Sequence, residues 1–110
     1  MQLNGVDFHV EIAGQGPPLL LLHGFTGSTR AWDDVRQQLT GWQVIAIDLI
    51  GHGQSDSPPE PERYTLEWAA RELSALLDAL DLSAATVLGY SMGGRIALHF
   101  AGGEPDRLEM

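Results

Sequence analysis

"LGYSMGGRIAL", residues Leu88 to Leu98, places one serine among three glycines where an apolar run gives way to a helical one. Within it, Gly89-Tyr90-Ser91-Met92-Gly93 fits the pattern Gly-x-Ser-x-Gly at a strand-to-helix junction, the context in which that pattern carries chemistry. The glycines have a steric reason. A very tight turn holds the serine in a strained backbone conformation, and side chains two residues to either side would collide. The product is a hydroxyl raised at the start of a helix, with the Met92 amide and the positive helix end facing any developing oxyanion. Taken alone, the five residues have a competing reading, a glycine-rich turn in which Ser91 merely caps the helix.

The flanking sequence supplies the rest of the fold. "ATVLGY" (Ala85 to Tyr90) reads as the strand before the serine, and a helix follows from about Met92 to Ala101, stopping at Gly102-Gly103. Upstream, "LLLLHG" and "WQVIAIDLIG" are continuous apolar runs of buried-strand length. The best helix spans Thr65 to Leu82, with Leu66, Ala69, Leu73, Leu76, Leu77 and Leu80 at helical spacing and Thr65 as N-cap. A shorter helix is expected over Thr29 to Leu39, with Trp32, Val35 and Leu39 on one face. "QLNGVDFHVEIAG" reads as two short strands around Asn4-Gly5, a hairpin dipeptide. Strands alternating with helices imply parallel pairing by right-handed crossovers. The expected fold is α/β, a mostly parallel sheet with an N-terminal hairpin, flanked by helices.

Composition narrows the function. A chain of 110 residues is one small domain or a piece of a larger one, and 44 % hydrophobic with 19 % charged residues describes a globular chain. The net charge is -9 and all six basic residues are arginine, which argues against nucleic acid or an anionic membrane surface as partner. With no cysteine, disulfides and thiolate metal sites are excluded. "MQLNGVDFHV" does not read as a secretory signal, and the aliphatic run Leu19 to Leu22 is too short to span a bilayer, so the expected location is the cytoplasm. No metal-ligand spacing and no phosphate-binding loop is present, so no cofactor is expected.

Three segments, "LLLLHGFTGS", "DLIGHGQSD" and "GYSMGGR", come in the order and spacing of the α/β-hydrolase superfamily, which the chain resembles over essentially its whole length. The resemblance implies that Ser91 is the nucleophile and that the backbone amides of Phe25 and Met92 form the oxyanion hole. His23, Gly24, Gly89, Gly93 and His52 fall at structural positions of those motifs. A finer resemblance is carried by "HGFTGS", "DLIGHGQSDSP" and "GYSMGGR". They look like the 2-succinyl-6-hydroxy-2,4-cyclohexadiene-1-carboxylate synthase family, the pyruvate-eliminating lyases of menaquinone biosynthesis. That likeness implies a triad that abstracts a proton, an oxyanion hole that holds an enolate, and Arg95 as a contact to a small substrate carrying several carboxylates. Fold motifs specify the reaction less well than the fold. A general serine hydrolase acting on esters or carbon–carbon bonds, and a non-catalytic self-associating domain, stand as alternatives.

Individual residues carry further expectations. Arg95 lies one turn after Ser91, where a cation opposes the helix dipole by about 0.3 to 1 kcal/mol. A substrate carboxylate would offset this; the competing reading pairs Arg95 with a surface acid, Glu67 or Glu72. Tyr90 is a candidate substrate contact, weighed against simple packing. His23 is expected to hold the loop backbone by hydrogen bonds, and His52 to do similar work with Asp48 and Ser55 as neighbours. Asp56 is expected to pair with an arginine or cap a turn, and Phe25, Trp32, Trp42 and Trp68 to be core or rim.

A serine of ordinary pKa needs a base oriented by an acid, which in this fold follow the nucleophile in the chain. Only 19 residues follow Ser91, and their single histidine, His99, lies eight residues along the same helix. At 1.5 Å per residue that is about 12 Å, too far for contact. Asp106 and Glu104 lie beyond that helix. The expectation is therefore an N-terminal half of the fold, a fragment with the C-terminal half and cap absent and no triad activity of its own. The family's strand order further implies a contiguous block of five strands with Ala85–Tyr90 at an unpaired edge, and hence self-association.

Overall fold

The structure, a computed structural model, describes residues 1–108. Asn4 and Gly5 both take positive φ, 52° and 82°, as a two-residue hairpin loop matched to strand twist requires. They join β1 (Gln2–Leu3) to β2 (Val6–Asp7) in an antiparallel pair. This pair stands apart as its own two-stranded sheet, so the expected block of five contiguous strands is instead a four-stranded sheet beside a hairpin. The backbone after β2 explains the separation. Asp7 exchanges hydrogen bonds with Asp56, and His9 with Ser55 Oγ and the Asp48 amide, so a loop occupies the groups that a sheet neighbour would take.

The main sheet holds β3 (Val10–Ala13), β4 (Pro18–Leu22), β5 (Gln43–Ile47) and β6 (Thr86–Gly89) in the order β3-β5-β4-β6. Only β3 runs antiparallel. β4 and β5 sit centrally and are covered on both faces, which is why their sequences are unbroken apolar runs rather than alternating ones. Leu20, Leu22, Ile45 and Ile47 pack on one face with Leu73, Leu76, Leu77, Ile96 and Phe100. Leu19, Leu21, Val44 and Ala46 form a smaller cluster on the other face with Trp32. Each such buried side chain contributes roughly 1.5 to 3 kcal/mol.

The larger cluster is built by two helices. α2 (Leu66–Ala79) starts at Thr65, whose Oγ1 accepts from the Trp68 amide, and ends before Asp81 at positive φ. α3 (Met92–Gly103) follows Ser91 and packs on α2. The opposite face has little cover. The helix expected over Thr29 to Leu39 is a 3-10 turn, Thr29–Trp32, running into a four-residue α1 (Asp33–Arg36). Trp32 is buried but Val35 is exposed, and Gln38 and Leu39 bond three residues back, as in a helix running out. Leu39 still packs against the sheet cluster beyond the helix, but a single helical turn between it and Trp32 gains too little to propagate. Among the described residues, no helix is long and apolar enough to cross a membrane.

Chain direction places the site. β4 connects through α1 to β5 on one side, while α2 carries the chain back across to β6 on the other side of β4. The loops leaving the C-terminal ends of β4 and β6 therefore diverge at a switch point, where open α/β sheets form their ligand crevice. Among the described residues, the outer side of β6 is a sheet edge engaged only at its start, where Ala85 bridges in parallel to Leu108 and its amide donates to Arg107.

Candidate active site

Ser91 sits at φ 54° and ψ −109°, the strained turn expected of it, and its side chain makes no helix-capping hydrogen bond. The capping reading of this serine therefore fails. The flanking glycines are required by close approach: a Cβ on Gly89 would lie 2.4 Å from the Gly93 carbonyl oxygen, and one on Gly93 would lie 2.2 Å from that of Leu22. Around the exposed hydroxyl, the Gly93 amide is used by the Tyr90 carbonyl and that of Arg95 by the Ser91 carbonyl. The amides of Met92 and Phe25 donate to nothing among the described residues. Both N–H groups, after β4 and after β6, are therefore without an internal acceptor among the described residues.

The loop carrying Phe25 is held from beneath. His23 is fully buried; its Nδ1–H donates to the Gly24 carbonyl at 2.7 Å, and its Nε2 accepts from the Leu49 amide at 2.9 Å. The backbone donor at Nε2 fixes that tautomer. Burial pushes the His23 pKa below its ordinary 6.5, with the neighbouring His52 acting in the same direction and the Gly24 carbonyl and Asp48 opposing. With both nitrogens engaged, this imidazole has no free lone pair with which to activate a serine. Asp48 completes the scaffold, its carboxylate accepting from the Thr29 amide at 2.7 Å and the Gln54 amide at 2.9 Å. A Cβ on Gly53 would come within 2.2 Å of that carboxylate, which explains the second glycine of "GHG".

Several expectations are corrected here. His52 is not among them: it holds its loop as expected, its Nδ1–H donating to the Ile50 carbonyl and its own carbonyl accepting from the Ser55 amide, while its ring packs against His23 and edge-on to Phe25. Ser55 Oγ links the His9 amide to the Asp48 carbonyl. Asp56 bonds the Asp7 backbone rather than an arginine. Glu72 is not a surface acid for Arg95. It is 4 % exposed and lies 3.4 Å from Arg63. Its place three residues after Ala69 and four before Leu76 was the available sign that it faces inward.

The remaining candidates divide among different surfaces. Arg95 is exposed, makes no ion pair among the described residues, and lines one open groove with Ser91, Gly89, Leu88 and Leu98. Tyr90 is 70 % exposed and lies with its ring against Gly24, in a cleft shared with His23, Trp32 and Val35. The two expected substrate contacts are thus on separate sides of the elbow. Phe25 is an exposed rim residue. His99 faces a groove between α2 and α3 with Trp68 and Ser74, away from Ser91. No histidine among the described residues hydrogen-bonds the Ser91 hydroxyl, and no group of three His, Asp or Glu side chains among them is placed to hold a metal ion.

Residues 17–110 match the family described as alpha/beta hydrolase fold. The chain is 38 % identical over 101 residues to a putative 2-succinyl-6-hydroxy-2,4-cyclohexadiene-1-carboxylate synthase of Bacillus subtilis, covering 88 % of this chain and 37 % of that protein. It is 37 % identical over 111 residues to epoxide hydrolase 2 of Siraitia grosvenorii, covering 96 % and 34 %. Among solved structures, an epoxide hydrolase mutant of Vigna radiata superposes with a TM-score of 0.94 at 30 % identity, over 98 % of this chain and 35 % of that one. The chain spans about a third of the length of these relatives.

Proposed function

The chain belongs to the α/β-hydrolase family, and on that premise we propose that it supplies the nucleophile elbow and oxyanion loop of a serine-dependent enzyme for a small carboxylate-bearing substrate, of the pyruvate-eliminating lyase type. The observation that carries this reading is the pairing of two unengaged groups in one groove, the uncapped Ser91 hydroxyl and the unpaired Arg95 guanidinium. In such a reaction a base relieves Ser91 of its proton and the serine oxygen takes a proton from carbon. The electron pair left behind becomes an enolate, whose oxygen is received by the Phe25 and Met92 amides. Arg95 meets a substrate carboxylate, a charge-assisted contact that offsets its unfavourable place in the first turn of α3. The base and its orienting acid lie outside the described residues. The lyase reading gains support from the Bacillus subtilis relative.

A general hydrolase of neutral substrates is the second reading. Epoxide hydrolases of comparable identity favour it, as does an apolar cavity beside Phe25 and Met92. The two readings separate when the chain is joined to the remaining two thirds of the Bacillus subtilis relative. Under the first, Arg95→Ala lowers kcat/KM for a succinyl-bearing cyclohexene carboxylate by roughly ten- to a hundredfold, the loss of a hydrogen bond to a charged group, and leaves a neutral ester nearly unchanged. Equal losses on both substrates overturn the lyase reading.

A further inference from the structure

The side chains of Phe25 and Met92, whose amides are free at the elbow, also wall a cavity of about 200 Å³. It opens between the loop after β5 and the N-terminal ends of α2 and α3. Leu49, Ile50, Ala69 and Ile96 make much of its wall apolar, His52, Tyr64 and Thr65 also line it, and Glu72 is its one carboxyl group. Glu72 Oε2 accepts from Arg63 Nη2 at 3.4 Å, whereas Oε1 accepts no hydrogen bond among the described residues. That oxygen is open to a donor, and an occupant of the cavity bearing an O–H or N–H could supply one.

We propose that this cavity is a binding site for a compact apolar group carrying a single hydrogen-bond donor, such as an aromatic or alicyclic alcohol, with Glu72 Oε1 receiving the donor. The size suits a single ring, since an apolar cavity of about 150 Å³ holds benzene. The apolar walls supply affinity without direction, and Glu72 supplies the carboxylate contact that orients the occupant. Its neighbour Arg63 meets the other oxygen, Oε2, and bonds the Asn4 carbonyl through the same Nη2, which leaves Oε1 to the occupant. Only the occupant's part as a substrate substituent rests on the proposed role of Ser91; binding itself does not.

The 110-residue chain is titrated at pH 8, where the Glu72 carboxyl is ionised, with benzyl alcohol and with toluene while backbone amide shifts are followed by NMR. Saturable shifts are expected at Ala69, Met92 and Ile96, with benzyl alcohol binding at least tenfold more tightly than toluene. Glu72→Leu should abolish that preference, and toluene should then bind at least as well as the alcohol. Ala69→Phe, which fills the cavity and leaves Glu72 in place, should abolish binding of both in a chain whose spectrum remains dispersed. Shifts that do not saturate, or that fall elsewhere, overturn the proposal, as does an alcohol preference that survives Glu72→Leu. Because no turnover is measured, failure here leaves the Ser91 reading standing, and failure of that reading leaves this result intact.

Discussion

Replacing Glu72 by glutamine should stabilise this protein above neutral pH and change how its stability depends on pH. Burial pushes the Glu72 carboxyl up from 4.5 to about 7, against the opposing pull of Arg63. The folded state therefore binds its proton more tightly than the unfolded state does. Stability must fall as pH rises from about 4.5 to about 7, and the loss is complete above that. A shift of this size corresponds to at most about 3 kcal/mol, and with the residue 4 % exposed solvent screening removes little of it. Glutamine keeps the shape and an acceptor for Arg63 but has no charge to desolvate. Urea denaturation followed by tryptophan fluorescence, at steps from pH 4.5 to 8, gives the wild-type minus variant difference. That difference should decline by about 2 to 3 kcal/mol across the window and then level off. Other titrations are common to both proteins and cancel. His23, with its lowered pKa, adds stability as pH rises toward 6.5 in each. Glu11, held near 2 by Arg36 and then His9, changes stability only below about 4.5. A difference that stays flat, or that grows in favour of wild type with rising pH, refutes the assignment of a desolvated carboxylate at this site.

Ser91→Gly should raise stability by about 1 to 2 kcal/mol in the same assay, because glycine removes the strain of a positive φ; a destabilised variant would show that the elbow is not strained. His23→Leu should cost about 2 to 5 kcal/mol by leaving the Gly24 carbonyl and Leu49 amide buried and unpaired, which thermal melting would read. We also propose that the 110-residue chain self-associates through the edge of β6, where Leu88 is 43 % exposed and the adjoining Leu98 of α3 is 76 % exposed. Ala85 donates outward to Arg107 and Tyr90 inward to Leu22, so by the two-residue alternation of a strand Val87 and Gly89 point to the open edge. Light scattering over a dilution series should show a concentration-dependent mass that Leu98→Glu lowers, with the Val87 and Gly89 amides protected from exchange. A monomer at high concentration with both amides exchanging fast sinks this proposal.

The elements that could be read from the sequence were those whose pattern answers to a single cause. The runs Leu19–Leu22 and Val44–Ile47 are apolar because both faces of the central strands are covered, and Thr65 with its leucines marks a helix through one cap and one buried stripe. The glycines of the elbow were legible for a similar reason, since each meets backbone that excludes a Cβ. Features that depend on distant partners were not. The helix after Thr29 shows helical spacing at Trp32, Val35 and Leu39, yet Val35 is exposed while Trp32 and Leu39 reach the sheet cluster, and no local pattern reveals how far the sheet surface extends. Asp48 looks like any acid after a strand; that it ties the Thr29 amide to the Gln54 amide depends on two loops meeting. Glu72 carried a sign of burial in its spacing, but charge outweighed position in the reading.

The account turns on Ser91 being presented for chemistry, with two free amides beside it and no base within the described residues. The most direct test is hydrolysis of an activated ester by the 110-residue chain and its Ser91→Ala variant, each with and without added imidazole as a surrogate base. Without imidazole the two should be equal, and with it the wild-type chain alone should gain a saturable, Ser91-dependent rate. Ser91-dependent turnover at an ordinary enzymatic rate without imidazole, or equal rates for both chains with it, would contradict the account.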